Sequence, residues 1–303
     1  MPELVAVTGA TGFIGKVLVQ RLIQSGWRIR ALTRSKQYSD SESIQWVHGD
    51  LDSAVALRHL VDGVAFVVHC AATVRGDSFS KFEHINVEGT KNLLCAITEQ
   101  EKWPQLLHIS SLAARNPELS WYAGSKYLSE LLLTQYSGLL WTIFRPTAVY
   151  GPGDKELKPL FQAMHRGVLP VIGGIHNRFG LLHVYDLVAA IQAWLVSEKP
   201  INGIFELDDG TPGGYSYQSL SVLAQRVWKR PIYCITIPDF LIRSIALSNL
   251  WLARLLHYSP MLTPGKVNEL QHSNWVCNNE PLTSILPTWR PNIRLQDVLS
   301  EVI

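Results

Sequence analysis

The sequence predicts an α/β fold, a doubly wound parallel sheet joined to a smaller C-terminal substrate-binding subdomain. Three observations lead there. Strand-like and helix-like runs alternate through the first half of the 303 residues, which builds a parallel sheet with helices on both faces. A glycine-rich turn links the first apolar run to the first amphipathic one. Beyond about Tyr150 the rhythm breaks, with Pro and Gly frequent from Gly151 to Gly174, as in an irregular region that faces substrate.

Taken in order, Leu4 to Thr8 reads as a buried strand and Phe13 to Ser25 as a helix stopped by Gly26. Further strands are expected at Trp27 to Thr33, Ile44 to Val47, Val64 to His69, Leu106 to Ser110 and Trp141 to Arg145. Helical spacing fills Phe79 to Thr98 and Tyr122 to Tyr136, and returns over Leu181 to Leu195. The expected nucleotide-binding domain is therefore 1–155 plus about 181–205. The substrate-binding subdomain takes about 156–180 and 206–303.

Hydrophobic residues make up 47% and charged residues 17%, enough for a sizeable core and against disorder. A formal charge of +2 implies no strong pull toward nucleic acid or an acidic membrane. Cys70 and Cys95 fall in apolar runs and, with no C-x-x-C pair, read as buried reduced thiols of a cytoplasmic protein. No basic region precedes an apolar stretch at the start, so no secretory leader is expected. No apolar run reaches the ~18 residues of a spanning helix, and the ten histidines show no zinc spacing.

The turn T-G-A-T-G-F-I-G places Gly9, Gly12 and Gly15 between strand and helix. That context marks a Rossmann-type dinucleotide site: tight turn, close approach to the pyrophosphate, and close helix packing. Thr11, Phe13 and Ile14 share the turn, and the N–H groups of the helix start face the phosphates. A mononucleotide loop is disfavoured because no G-K-[ST] ending follows. An NAD site carries an acid about 20 residues on. Here R-A-L-T-R-S-K offers Thr33, Arg34, Ser35 and Lys36, with no acid before Asp40. Arg34 can pair with a 2′-phosphate, so NADP is preferred, with NAD the alternative. Asp50 and Leu51, after the third strand, are placed to meet adenine; a plain turn with Asp50 capping the next helix is the other reading.

T-G-A-T-G-F-I-G, V-V-H-C-A-A, N-V-E-G-T-K-N-L-L, I-S-S, Y-A-G-S-K and F-R-P-T-A-V-Y-G-P-G-D occur in this order. The chain thereby resembles the extended short-chain dehydrogenase/reductases, the group of NAD-dependent epimerases and dehydratases, over nearly its whole length. The resemblance implies cofactor contacts at Ala71 and Pro146, a structural role for Asn86, a catalytic Ser111, and a homodimer through helices near Tyr122.

The chemistry can be argued beside it. Tyr122 and Lys126, four apart at a helix start, share a face. A nearby ammonium lowers a phenol's pKa; moving it from about 10 to about 7 takes about 4 kcal/mol, the sum expected of one close cation and a nicotinamide charge. Tyr122 can then exchange a proton while hydride moves at the same carbon, with Ser111, or else Ser110, on the substrate oxygen and Lys126 on the nicotinamide ribose. Arg145 and Pro146 end a strand, and that strand end resembles the family's nicotinamide-facing segment. His69 reads as a packed residue.

Dehydratases of the resembling family place Asp and Glu after the serine; here Leu112 and Ala113 stand there, and neither can transfer a proton. Only a short segment separates Ser111 from Tyr122, whereas sugar-nucleotide enzymes carry an insertion. The reading is an NAD(P)-dependent oxidoreductase acting on a hydroxyl or keto carbon of a small molecule, apolar or nucleotide-linked. A nucleotide-sugar epimerase and a non-catalytic nucleotide-binding assembly subunit are the alternatives; the intact Tyr122 and Lys126 favour catalysis. Phe240 to His257 is an apolar helix with Arg243 and Arg254 on one face, fit for the core, a dimer interface, a substrate wall or a membrane surface. Arg178 is a candidate for an anionic substrate group.

Overall fold

The computed structural model describes residues 3–35 and 41–301; Lys36 and Asp40 lie outside them. Seven strands form the main sheet: β1 (Leu4–Thr8), β2 (Arg28–Thr33), β3 (Ile44–His48), β4 (Phe66–His69), β5 (Gln105–Ile109), β6 (Trp141–Pro146) and β7 (Gly203–Leu207). Their order is β7-β6-β5-β4-β1-β2-β3, and every pairing is parallel. Val5 stands between Ile29 and Phe66, so the strand order reverses beside β1. The crevice at the carboxyl ends of β1 and β4 is where such sheets bind ligands.

The helices are α1 (Phe13–Gln24), α2 (Ala54–Val61), α3 (Gly89–Thr98), α4 (Trp121–Thr134), α5 (Lys158–His165), α6 (Val184–Leu195), α7 (Tyr217–Trp228), α8 (Asp239–Leu256) and α9 (Pro264–Gln271), with shorter turns between. Strands buried on both sides need two cores. Leu18 and Leu22 of α1 and Leu187 and Ile191 of α6 fill one. Leu57, Leu60, Leu93, Ile97 and Leu133 of α2, α3 and α4 fill the other. A third cluster, with Tyr150, Phe161, Met164 and Leu220, surrounds the parallel pair of Val168–Ile172 with Tyr233–Ile237. Near the C-terminus, Trp289 returns to the first core and its indole donates to the Asp186 carbonyl at 3.0 Å.

Five differences from the sequence expectation have local causes. β7 was not foreseen: its five residues, G-I-F-E-L, show too little alternation to stand out. Leu181–His183 is a short strand paired with Ala148–Tyr150, and helix begins only at Val184, where the His183 ring accepts the Tyr185 N–H. The Phe79-to-Thr98 stretch is interrupted by a π-helical segment, Glu83–Glu88, centred on buried Asn86; such segments gather at functional sites. Cys95 is exposed rather than buried, because α3 turns its neighbours Leu94 and Ala96 inward instead. And α8, apolar along most of its length, leaves one side open to solvent.

Candidate active site

Gly9 sits at φ +68°, and a side chain there would meet the Ala71 nitrogen at 2.6 Å; the turn and the β4 end are locked together. A side chain on Gly15 would overlap the Gly9 carbonyl oxygen, so the helix closes on the strand only with glycine in place. Gly12 caps α1 without a side-chain hydrogen bond, and its N–H returns to the Gly9 carbonyl at 2.9 Å. This is a cradle of backbone with no side chain filling it, and no acid occupies the first turn. The glycine turn and the open helix start suit a dinucleotide pyrophosphate.

The β2 end presents Thr33, buried, and Arg34, exposed. Thr33 Oγ1 accepts the Ser35 N–H at 3.1 Å. Asp50 is exposed and accepts the Asp52 N–H at 3.0 Å in a local turn, while Ser53 caps α2. Leu51 packs over Gly89, and its carbonyl accepts from Asn92 at 2.9 Å. Pro146 is buried at the end of β6.

Ser120 starts α4 by accepting the Ala123 N–H at 2.9 Å. The helix then turns Lys126, Ser129 and Glu130 inward, and Tyr122 hydrogen-bonds Ser111, which caps the helical turn Leu112–Arg115. The structure thus brings Ser111 and Tyr122 together at the end of β5. Lys126 is 1% exposed. Its ammonium donates to the Ile109 carbonyl at 2.9 Å and lies 3.5 Å from His108 Nε2. Burial lowers its pKa to about 8, against the attraction of Glu130. In the chain by itself, burial pushes the Tyr122 phenol up to about 12, outweighing the Ser111 hydrogen bond, and the Glu269 carboxylate adds to the rise. At neutral pH the phenol holds its proton.

Around this group runs a buried polar network that the sequence reading largely missed. His69 bridges Thr8 at 2.6 Å and Thr90 at 3.0 Å. Thr90 donates to the Asn86 carbonyl, and the Asn86 amide holds both backbone groups of Thr73 and Ser125 Oγ at 2.8 to 3.1 Å. Asn86 therefore clamps the β4 loop to the Tyr122 helix. His108 contacts Ser129 at 3.1 Å. Burial and the Lys126 charge keep both imidazoles neutral, His69 at about 3 and His108 well below its ordinary value. Arg145, foreseen as nicotinamide-facing, instead pairs with Glu130 through bonds of 2.5 to 3.2 Å, and Ser110 donates to the same carboxylate. Glu130 had a readable signal, since it continues the four-residue spacing of Tyr122 and Lys126. His108, Ser129 and Glu269 had none.

A cleft of about 400 Å³ opens beside the start of α4, lined in part by Phe79, Leu119, Trp121, Leu250 and Pro264. Arg178 lies apart from it by contact, paired with Asn274 in a short strand and packed at Gly213.

A family model described as "NAD dependent epimerase/dehydratase family" matches residues 5–207. The chain belongs to this family. It is 34% identical over 293 residues to a ceramide reductase of Caulobacter vibrioides, covering 94% of this chain and 89% of that protein. It is 27% identical to a sterol-4-alpha-carboxylate 3-dehydrogenase (decarboxylating) of Dictyostelium discoideum, covering 83% and 84%. The fold matches MoeE5 in complex with UDP-glucuronic acid and NAD at a TM-score of 0.74, with 20% identity over 98% of this chain and 96% of that one. The protein is an NAD(P)-dependent oxidoreductase of the extended short-chain type.

Proposed function

We propose that the protein reduces a keto group carried on a lipid-like molecule, with NADPH preferred as hydride source and Tyr122 as proton donor. The observation that carries this reading is the Ser111–Tyr122 hydrogen bond beside buried Lys126, with the phenol protonated at neutral pH. A bound nicotinamide cofactor supplies the hydride to the carbonyl carbon. Tyr122 gives its proton to the carbonyl oxygen, and Ser111 orients that oxygen. Lys126, largely charged below about pH 8, holds the ribose and stabilises the phenolate left behind. Leu112 and Ala113, both buried, provide no second acid–base pair, which supports simple reduction over dehydration.

The ceramide reductase and a 2-alkyl-3-oxoalkanoate reductase of Stenotrophomonas maltophilia, 27% identical over 217 residues, support a substrate with long alkyl chains. Arg34, without an acid beside it among the described residues, supports NADPH. We assign substrate binding to 156–180 and 206–303, and a homodimer to the outer side of α4, where Tyr127, Leu128 and Leu131 are exposed. Four free thiols suit a reducing cytoplasm.

The test is reduction of a long-chain 3-oxo amide dispersed in detergent, with NADPH and NADH compared. Turnover should favour NADPH, and Tyr122→Phe should lower kcat by about 10²- to 10⁴-fold while leaving NADPH affinity nearly unchanged. Equal turnover with both cofactors removes the Arg34 argument. Retained turnover in the variant removes the Tyr122 assignment, and epimerisation of UDP-glucose in place of ketone reduction overturns the whole reading.

A further inference from the structure

α9 closes on the start of α4, and neutral groups suffice for the joint. Asn268 donates to the Leu119 carbonyl at 3.2 Å. A side chain on Gly265 would meet Ser120 Cβ at 2.9 Å, so glycine lets the two elements touch. Yet the joint also holds a buried acid. Glu269 is 6% exposed. One of its oxygens accepts the Ser120 hydroxyl, 149 residues away in the chain, and the other pairs with Lys266 at 2.7 Å. A carboxylate is costly to take out of water, so packing alone does not explain this one.

Ser120 fixes the acid at the head of the Tyr122 helix. Its single hydroxyl proton goes to Glu269, which leaves its lone pairs for the Ala123 N–H and so caps α4. Tyr122 lies two residues further on. Phe82 meets its ring edge-on at 6.3 Å, and Ser111 bonds its hydroxyl. An anion here opposes a second anion on the phenol, and the Glu269 carboxylate raises the pKa of Tyr122 accordingly.

Other charges around this junction are committed elsewhere or face water. Lys126, the cation of α4, donates to the Ile109 carbonyl. Lys81 pairs with Asp77, and Arg115 with Glu206. The π-helical segment meets α4 through Asn86, while its Glu83, His84 and Glu88 are exposed, like Lys91 of α3 and Glu118. From α8, Arg243 pairs with Asp239 and bonds Asn268 and Gln271. His272, just past α9, packs on Trp275.

We propose that Glu269, anchored by Ser120 and Lys266, is a positioning residue for the reaction: its charge holds the transferable proton on Tyr122. A phenol that has given its proton to substrate regains one more readily beside this anion, so the donor is restored between turnovers. The role rests on Tyr122 as the proton donor. The test is a fluorine NMR titration of the full-length protein carrying 3-fluorotyrosine, whose ring fluorine makes every phenol more acidic. The Tyr122 signal is the one lost in Tyr122→Phe. Glu269→Gln keeps an acceptor for Ser120 and removes the charge, and should move the Tyr122 titration to lower pH by about 0.5 unit or more. Lys266→Gln leaves the carboxylate unpaired and should move it to higher pH. Opposite shifts are the mark of charge, since a loosened joint would move both variants alike. An unmoved signal, or movement in one direction in both, overturns the proposal. Should Glu269→Gln fail to fold, Lys266→Gln decides alone, with any outcome but an upward shift overturning it. The titration needs no substrate. Retained turnover in Tyr122→Phe alongside both expected shifts therefore removes the donor reading and leaves Glu269 acting on the phenol's proton.

Discussion

α4 and α8 invert each other. α4 buries a lysine, two serines and a glutamate and exposes Tyr127, Leu128 and Leu131. α8 buries a narrow apolar strip and exposes its largest apolar side chains. α4 departs from the usual rule that charge faces water, α8 from the rule that large apolar patches are covered, and each departure marks work. In α4 the buried charges are satisfied from other elements: Lys126 by the Ile109 carbonyl, and Glu130 by Arg145 and Ser110. In α8 nothing within the described chain covers the exposed side chains to the same degree, so their stabilisation has to come from outside. A misplaced polar group inside is answered by the fold, whereas a misplaced apolar group outside points to a partner.

The comparison can be broken most forcefully at Glu130. Glu130→Gln leaves Arg145 without its carboxylate at 14% side-chain exposure, and should cost about 3–5 kcal/mol of unfolding free energy. Urea denaturation reads this directly, and a loss below about 1 kcal/mol would mean that the pair is not the anchor it appears in the geometry.

A smaller effect follows from the two neutral imidazoles. The folded pKa of His69, about 3, lies below its ordinary 6.5, and that of His108 is also lowered. Stability from this source is therefore complete above about pH 6.5 and is lost as pH falls toward 3, by up to about 1.4 kcal/mol per pH unit for each ring. Melting between pH 7.5 and 5 should show the decline, and His69→Gln should make it shallower. A slope untouched by that substitution would assign the acid sensitivity elsewhere.

The smallest effect is on the other side of the comparison. Leu247→Ser, at 58% exposure, should change folding stability by no more than about 0.5 kcal/mol. A loss of about 2 kcal/mol in calorimetry would show that this side chain packs within the fold after all.

Much of the fold was legible because strands buried on both faces are written as short apolar runs, and six of the seven sheet strands carry one. β7 was not, since its pairing with β6 depends on a chain that leaves through α6 and comes back. In the site, the glycine turn and the Tyr122, Lys126 spacing were readable because each works through local geometry. The clamp at Asn86 was readable only by resemblance, and its bonds to Thr73 and Ser125 span 13 and 39 residues. Spacing locates a lysine on the same helical face, whereas burial, which raises the phenol in the chain by itself, is a property of the surroundings.

The sequence by itself determined the alternation that builds the sheet, the glycines that no side chain could replace, and the order of the nucleophile-poor, proton-transferring residues along the chain. These follow from sterics and periodicity over a few residues. Tertiary structure alone decided that Tyr122 keeps its proton, that Arg145 serves Glu130, and that α8 ends with its apolar side outward, because desolvation and long-range pairing exist only once distant segments meet.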